Sequence, residues 1–166
     1  MATGGLSRRE LLFGRDAAPA PPLRPPWALA ESAFVEACTR CDACLAACPE
    51  RVLARDAAGR PVFDPQLGEC TFCGACADAC APGALHRAPA AAPWRLRALV
   101  SERCLGRQGV VCFRCEDACP EQAVLRPRGR LAGIEVDADR CSGCGACVGV
   151  CPAGALQLQA QTETAR

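Results

Sequence analysis

The sequence contains no lysine and no tyrosine, a single histidine and a single methionine, and only two tryptophans and five phenylalanines in 166 residues. So few large side chains leave a conventional hydrophobic core thin, and small domains short of core depend on staples such as bound metal. No apolar run approaches the roughly 20 residues of a membrane helix, so no transmembrane segment is expected. All nineteen basic residues are arginine and the formal net charge is +1, which makes no case for a nucleic-acid partner. Alongside the high alanine content, the arginine bias reads as compositional. No nucleophile–base pair, no phosphate-cradling glycine loop and no free metal ligand beyond thiols stand out, so the chain is not expected to be an enzyme.

What the chain has in abundance is cysteine, sixteen residues in four runs. The last, Cys141-Ser142-Gly143-Cys144-Gly145-Ala146-Cys147-Val148-Gly149-Val150-Cys151-Pro152, reads C-x2-C-x2-C-x3-C-P, the spacing that holds a [4Fe-4S] cluster in bacterial ferredoxins. Cys38, Cys41, Cys44 and Cys48 form another copy, followed by Pro49. Cys70, Cys73, Cys76 and Cys80 form a third, with Ala81 ahead of Pro82. Cys104, Cys112, Cys115 and Cys119 form a stretched copy that ends at Pro120. No cysteine is left over.

Each iron of a cubane takes one thiolate, and three cysteines two residues apart let one tight loop wrap three corners. Small residues between them (Ala43, Gly74, Ala75, Gly143, Gly145 and Ala146) let backbone N–H groups approach the sulfurs, a contact that tunes the reduction potential. The proline after the last cysteine fixes φ and turns the chain out of the loop. Disulfides fit adjacent C-x2-C-x2-C triplets poorly. Zinc sites usually pair two short cysteine motifs across a longer gap.

In two-cluster ferredoxins the fourth cysteine of a run ligates the other cluster. That rule groups Cys38, Cys41 and Cys44 with Cys80, and Cys70, Cys73 and Cys76 with Cys48. It groups Cys104, Cys112 and Cys115 with Cys151, and Cys141, Cys144 and Cys147 with Cys119. Pairing across the two halves stays open, because sequence carries no geometry between them. Seven residues separate Cys104 from Cys112 where two are usual. Cys104 is the weakest ligand of the set; the third site is expected complete, with a three-cysteine or vacant site as the alternative, and three to four [4Fe-4S] clusters per chain are expected.

Ahead of these runs, Ser7 and Glu10 form a capping box, with Leu6 and Leu11 at staple positions and Gly14 as a stop, which predicts a short helix over residues 6–14. Ser7-Arg8-Arg9 resembles a twin-arginine signal, but Arg15, Asp16 and five prolines follow where an apolar stretch is required. The chain is accordingly expected in the cytoplasm, where thiols stay reduced. Residues 15–26 read as an extended proline-rich tether, and Trp27 is expected to pack on the first lobe.

Residues 52–55 and 61–63, separated by an Asp56–Gly59 turn, predict a strand hairpin, and residues 124–126 and 133–136 repeat it around Arg128-Gly129-Arg130. The expected fold is α+β: tandem ferredoxin-like two-cluster lobes over residues 31–87 and 100–158. They follow an amino-terminal arm (1–30), are joined by a linker (88–99), and end in a frayed tail (159–166). His86 is expected to serve packing or surface. Trp94, Arg95 and Arg97 read as a solvated amphipathic linker, with a docking patch as the alternative.

With these features placed, the chain resembles the NapF-type ferredoxins of periplasmic nitrate reductase operons. The resemblance rests on Ser7-Arg8-Arg9 without an apolar stretch, Arg24-Pro25-Pro26-Trp27, Cys38-Thr39-Arg40-Cys41-Asp42-Ala43-Cys44 and Glu69-Cys70-Thr71-Phe72-Cys73. The stretched Cys104 to Cys112-Phe113-Arg114-Cys115 and the final glycine-rich run complete it. The resemblance implies a cytoplasmic iron–sulfur protein that helps mature the nitrate reductase catalytic subunit before export, acting on its precursor by electron or cluster supply. The alternative is an electron-transfer subunit between redox partners. Either way the thiol–iron bonds would supply much of the folding free energy. Stripping the iron with chelator should abolish the far-UV circular dichroism of the folded chain, and a retained spectrum would contradict that dependence.

Overall fold

The cysteine runs leave little chain between them for regular structure, and the elements that do form are short. The protein is described here by a computed structural model covering residues 21–88, 92–127 and 133–161. The helix expected over residues 6–14, residues 15–20 of the tether and the Arg128-Gly129-Arg130 turn lie outside the described residues.

In the first half, helix α1 (Glu31–Ala37) precedes the first cysteine run and buries Phe34 completely. Helix α2 (Ala43–Ala47) carries Cys44. Strands β1 (Leu53–Arg55) and β2 (Pro61–Phe63) pair antiparallel, with Leu53 opposite Phe63. Their turn is tied by Asp56, whose Oδ1 accepts the Ala58 and Arg60 N–H groups at 2.9 Å each, a local arrangement that asparagine and aspartate favour. Helix α3 (Ala75–Asp78) carries Cys76, and the half closes where Leu85 bridges back to Ala28.

The second half repeats this plan. Strand β3 (Leu96–Val100) opens it, helix α4 (Arg114–Asp117) carries Cys115, and β4 (Val124–Leu125) pairs with β5 (Glu135–Val136). Helix α5 (Ala146–Gly149) carries Cys147, and β6 (Leu156–Ala160) returns antiparallel to β3 in the register Leu96 to Ala160 and Val100 to Leu156. The helices α3 to α5 are single turns, far below the length at which an isolated helix is stable. They stand because the cysteine loops hold them.

Three segments differ from the sequence reading. Pro25 and Pro26 are fully buried and Trp27 is 8% exposed, so the tether ends before them. Phe63 N–H donates to the Leu23 carbonyl at 2.7 Å, and Trp27 N–H donates to Pro93 at 2.7 Å. Arg24 locks the segment with bonds to Glu31, Asp56 and the Pro61 carbonyl, and its guanidinium lies 4.7 Å over the Phe34 ring. Residues 96–99, expected within a linker, form strand β3, because Leu96 and Ala98 face the cores while Leu99 faces solvent. Gln159 and Ala160, expected to fray, are held in β6 by that same pairing.

Two small cores result. The first gathers Trp27, Phe34, Val52, Leu53, Phe63 and Leu85, with Leu96 joining it from the second half. The other gathers Ala98, Val124, Ile134, Val148 and Leu156. Buried cysteines are members of both cores. Removing Arg24 with Arg24→Ala strips charged hydrogen bonds from a mostly buried site and should cost about 2 kcal/mol, a fall of roughly 4–8 °C in thermal midpoint. Gly143 and Gly83 both have left-handed φ (75° and 74°), but a Cβ on Gly143 would run into the Leu96 carbonyl while one on Gly83 meets nothing within 4 Å. Gly83→Ala should therefore show only the backbone strain of about 1 kcal/mol, and Gly143→Ala a clearly larger loss of thermal midpoint and iron.

Candidate metal centres

A tight C-x2-C-x2-C loop needs left-handed backbone between its ligands, and the chain supplies it. Arg40 and Asp42 in the first run, Phe72 and Gly74 in the second, and Gly143 and Gly145 in the fourth all have positive φ. Alternating right- and left-handed residues aim successive N–H groups into the concave side, the arrangement that cradles anionic sulfur. Arg40, Asp42 and Phe72 bear the strain of that conformation without being glycine, as residues at ligand sites often do. The third run differs. Phe113 has φ −120°, and Gly109 within the seven-residue insertion takes the left-handed turn. The insertion folds on itself, with Val110 N–H donating to Leu105 at 2.9 Å and Gln108 to Cys104 at 3.1 Å. It returns Cys112 to the same hollow as Cys104.

The sixteen thiols, none of them in a disulfide, collect in four places. Cys38, Cys41, Cys44 and Cys80 line one hollow of about 340 Å3, counting the open space at its mouth. Cys104, Cys112, Cys115 and Cys151 line another of about 360 Å3. Cys119 joins Cys141, Cys144 and Cys147 around a third of about 330 Å3. Cys48 stands near enough to Cys70 and Cys76 for its charge to act on both, and Cys73 acts in turn on Cys70. Apolar side chains complete the walls, with Phe34 and Leu85 in the first, Ile134 and Leu156 in the next, and Val124 and Val136 in the last.

The cysteine after the short helix is fixed by its own backbone. Leu85, Ala123 and Ala155 donate N–H groups at 3.3 Å to the sulfurs of Cys80, Cys119 and Cys151. Such donors orient a ligand and moderate its charge. Sequence reading missed these three donors. Their only signal is position, four or five residues beyond the fourth cysteine of a run and one or two residues after a left-handed residue at Gly83, Gln122 or Gly154.

Burial makes most inner thiols reluctant to ionise. It pushes Cys44, Cys70 and Cys115 up to about 11 and Cys76 and Cys147 up to about 12. Cys41 is exposed, and the Ala43 backbone N–H holds its thiol below the ordinary value. Thiolates so placed need a cation inside the hollow to be stable. Among the described residues, no three cysteine, histidine, aspartate or glutamate groups converge as ligands of a single metal ion. Four sulfurs spread around an apolar hollow fit a larger polynuclear guest, and the Ser142 hydroxyl at the fourth site lies against the Cys144 thiol. The residues present therefore fit an iron–sulfur cluster at each place.

His86 is exposed on the surface with its N–H on the Trp27 carbonyl at 2.8 Å. Trp94 is half-buried between the halves, not solvated: its ring packs on Phe63 and Phe72, and its Nε1 donates to Ser142 at 3.0 Å. Arg97 donates to the Ala138 carbonyl at 2.6 Å. Among the described residues, no helix is long and apolar enough to cross a membrane.

Comparison with known proteins places these features in a family. The 4Fe-4S dicluster domain matches twice, over residues 35–85 and 97–155. The chain is 41% identical over 156 residues to the ferredoxin-type protein NapF of Escherichia coli (strain K12), covering 92% of this chain and 94% of that one. It is 40% identical over 139 residues to NapF of Haemophilus influenzae, covering 82% and 78%. The methylamine utilization ferredoxin-type protein MauM of Methylobacillus flagellatus is 36% identical over 163 residues, covering 87% and 70%. Two dicluster domains and sixteen cysteines correspond to about four [4Fe-4S] clusters. With this likeness running nearly end to end, the chain belongs to the NapF family of ferredoxin-type proteins.

Proposed function

We propose that the chain is a cytoplasmic accessory protein that binds the unexported precursor of the periplasmic nitrate reductase catalytic subunit and supplies it with electrons or cluster components. The observation that carries this reading is the 41% identity to NapF across 92% of the chain. The ligands we assign are four sets, of which the first, third and fourth line common hollows: Cys38, Cys41, Cys44 and Cys80; Cys70, Cys73, Cys76 and Cys48; Cys104, Cys112, Cys115 and Cys151; Cys141, Cys144, Cys147 and Cys119. The clusters bring reversible one-electron chemistry. The chain's own residues fix the thiols, keep the walls dry and aim N–H donors at the sulfurs. On this reading the protein is an accessory factor and not an enzyme.

A second reading, an electron-transfer subunit between redox partners, is supported by the exposure of Cys41 and Cys73, which opens two sites to a partner's surface. Binding separates the two. A variant lacking residues 1–20 keeps the docked Leu23–Trp27 stretch, so it should retain its iron and lose capture of the catalytic-subunit precursor. Capture of precursor and exported enzyme alike, unchanged by the deletion, would favour the electron-transfer subunit. Cys104→Ala tests the third site: total iron should fall by about a quarter, and an unchanged iron content would remove Cys104 from the ligand set.

A further inference from the structure

The halves meet along their inner ligand loops. Cys70 N–H donates to the Cys144 carbonyl oxygen at 2.8 Å, so the backbone of one ligand residue is bonded directly to that of a ligand residue in the other half. Trp94 lies beside this bond. Its Nε1 donates to the Ser142 carbonyl at 3.0 Å, its ring stands edge-on to Phe72 with centroids 5.4 Å apart, and it is tilted against Phe63 at 4.9 Å. Ser142 stands between Cys141 and Cys144, and Phe72 between Cys70 and Cys73. One side chain therefore touches both loops.

The contact has no slack. A Cβ on Gly145 would come within 2.9 Å of the Phe63 ring and 3.0 Å of Pro65, and one on Gly149 within 3.2 Å of the Pro65 carbonyl. Trp27 N–H on Pro93 and Leu96 in the first core tie the segment that carries Trp94 to the first half. Within each half the two thiol sets are neighbours by construction, since Cys48 and Cys80 exchange places in the first half and Cys119 and Cys151 in the second. The contact between the second and fourth sets is the link that makes four sites one series.

We propose that this contact is an electron junction, so that the sites are ordered first, second, fourth, third, with Trp94 as the positioning residue that holds the two inner loops together. Electron tunnelling falls steeply with distance, and the route between halves runs where ligand loops touch. With clusters held by these thiols, one electron from an external one-electron reductant would pass from the second set to the fourth, with no bond made or broken and no proton moved. The first and third sites lie at the two ends, and the exposed Val110, Val111 and Phe113 beside Cys112 mark the third as an outward-facing end. This proposal rests on the cluster assignment above.

Two neighbouring paramagnetic centres broaden and split each other's electron paramagnetic resonance, which gives the test. In the full chain carrying Cys41→Ala and Cys112→Ala, both outer sites lose a thiol while the inner sets stay complete, and iron should fall to about eight per chain. Reduced with dithionite, this protein should show a spin-coupled signal. Adding Trp94→Ala should collapse it to uncoupled signals at unchanged iron, and Trp94→Phe, which keeps the ring, should restore most of the coupling. If the double variant binds no iron, the same Trp94 comparison in the otherwise unsubstituted chain reads loss of one component of the coupling. Uncoupled inner signals with Trp94 intact would overturn the junction, and coupling indifferent to Trp94→Ala would overturn the role of Trp94. Absence of iron and sulfide from the unsubstituted chain would overturn the cluster assignment itself, a result distinct from the other two.

Discussion

Each hollow takes three sulfurs from one tight loop and a fourth from a distant run, and this crossing governs the rest of the structure. It forces the chain of each half to pass both sites twice, so the segment between the two runs of a half holds only a pair of two- or three-residue strands. Elements of that size do not stand alone in water. They are held from one end by a ligand loop and from the other by a small core that itself contains buried cysteines. Folding and cluster binding are therefore one process.

The second consequence concerns charge. The inner thiols lie where burial opposes ionisation, with apolar walls and backbone N–H groups as their main surroundings. The charged side chains lining the first, third and fourth hollows are Arg40 and Asp42, Arg114, and Glu121 respectively. Asp42 is drawn outward by a bidentate pair with Arg55 at 2.7 and 2.8 Å. Backbone dipoles and dryness, with an arginine at the rim of the first and of the third site, are the features that tune such sites.

The local parts of this design were legible in the sequence. Cysteine spacing marks the ligand loops, and Gly74, Gly143 and Gly145 mark their left-handed turns. The Asp56–Gly59 turn between short β-branched and aromatic runs marks the β1–β2 hairpin. What was not legible is long-range. Nothing in Leu96–Val100 names a partner some sixty residues on, so its alternation passed for an amphipathic linker. Arg24-Pro25-Pro26 reads as tether because proline usually avoids cores, while the expected packing of Trp27 on the first lobe is what the structure shows. Here the two prolines are buried because Arg24 finds two carboxylates and Trp27 caps the first core. Trp94 likewise shows no local sign of the two loops it joins, since Phe72 and Ser142 approach it only once both halves are folded.

The central claim is that sixteen thiols form four complete four-sulfur sites, including the stretched third. Iron and acid-labile sulfide per chain, measured on anaerobically purified protein, test it most directly. The account predicts close to sixteen of each, four irons and four sulfides at every site. A value near twelve would contradict the completeness of the third site, and metal without sulfide would contradict the cluster assignment altogether.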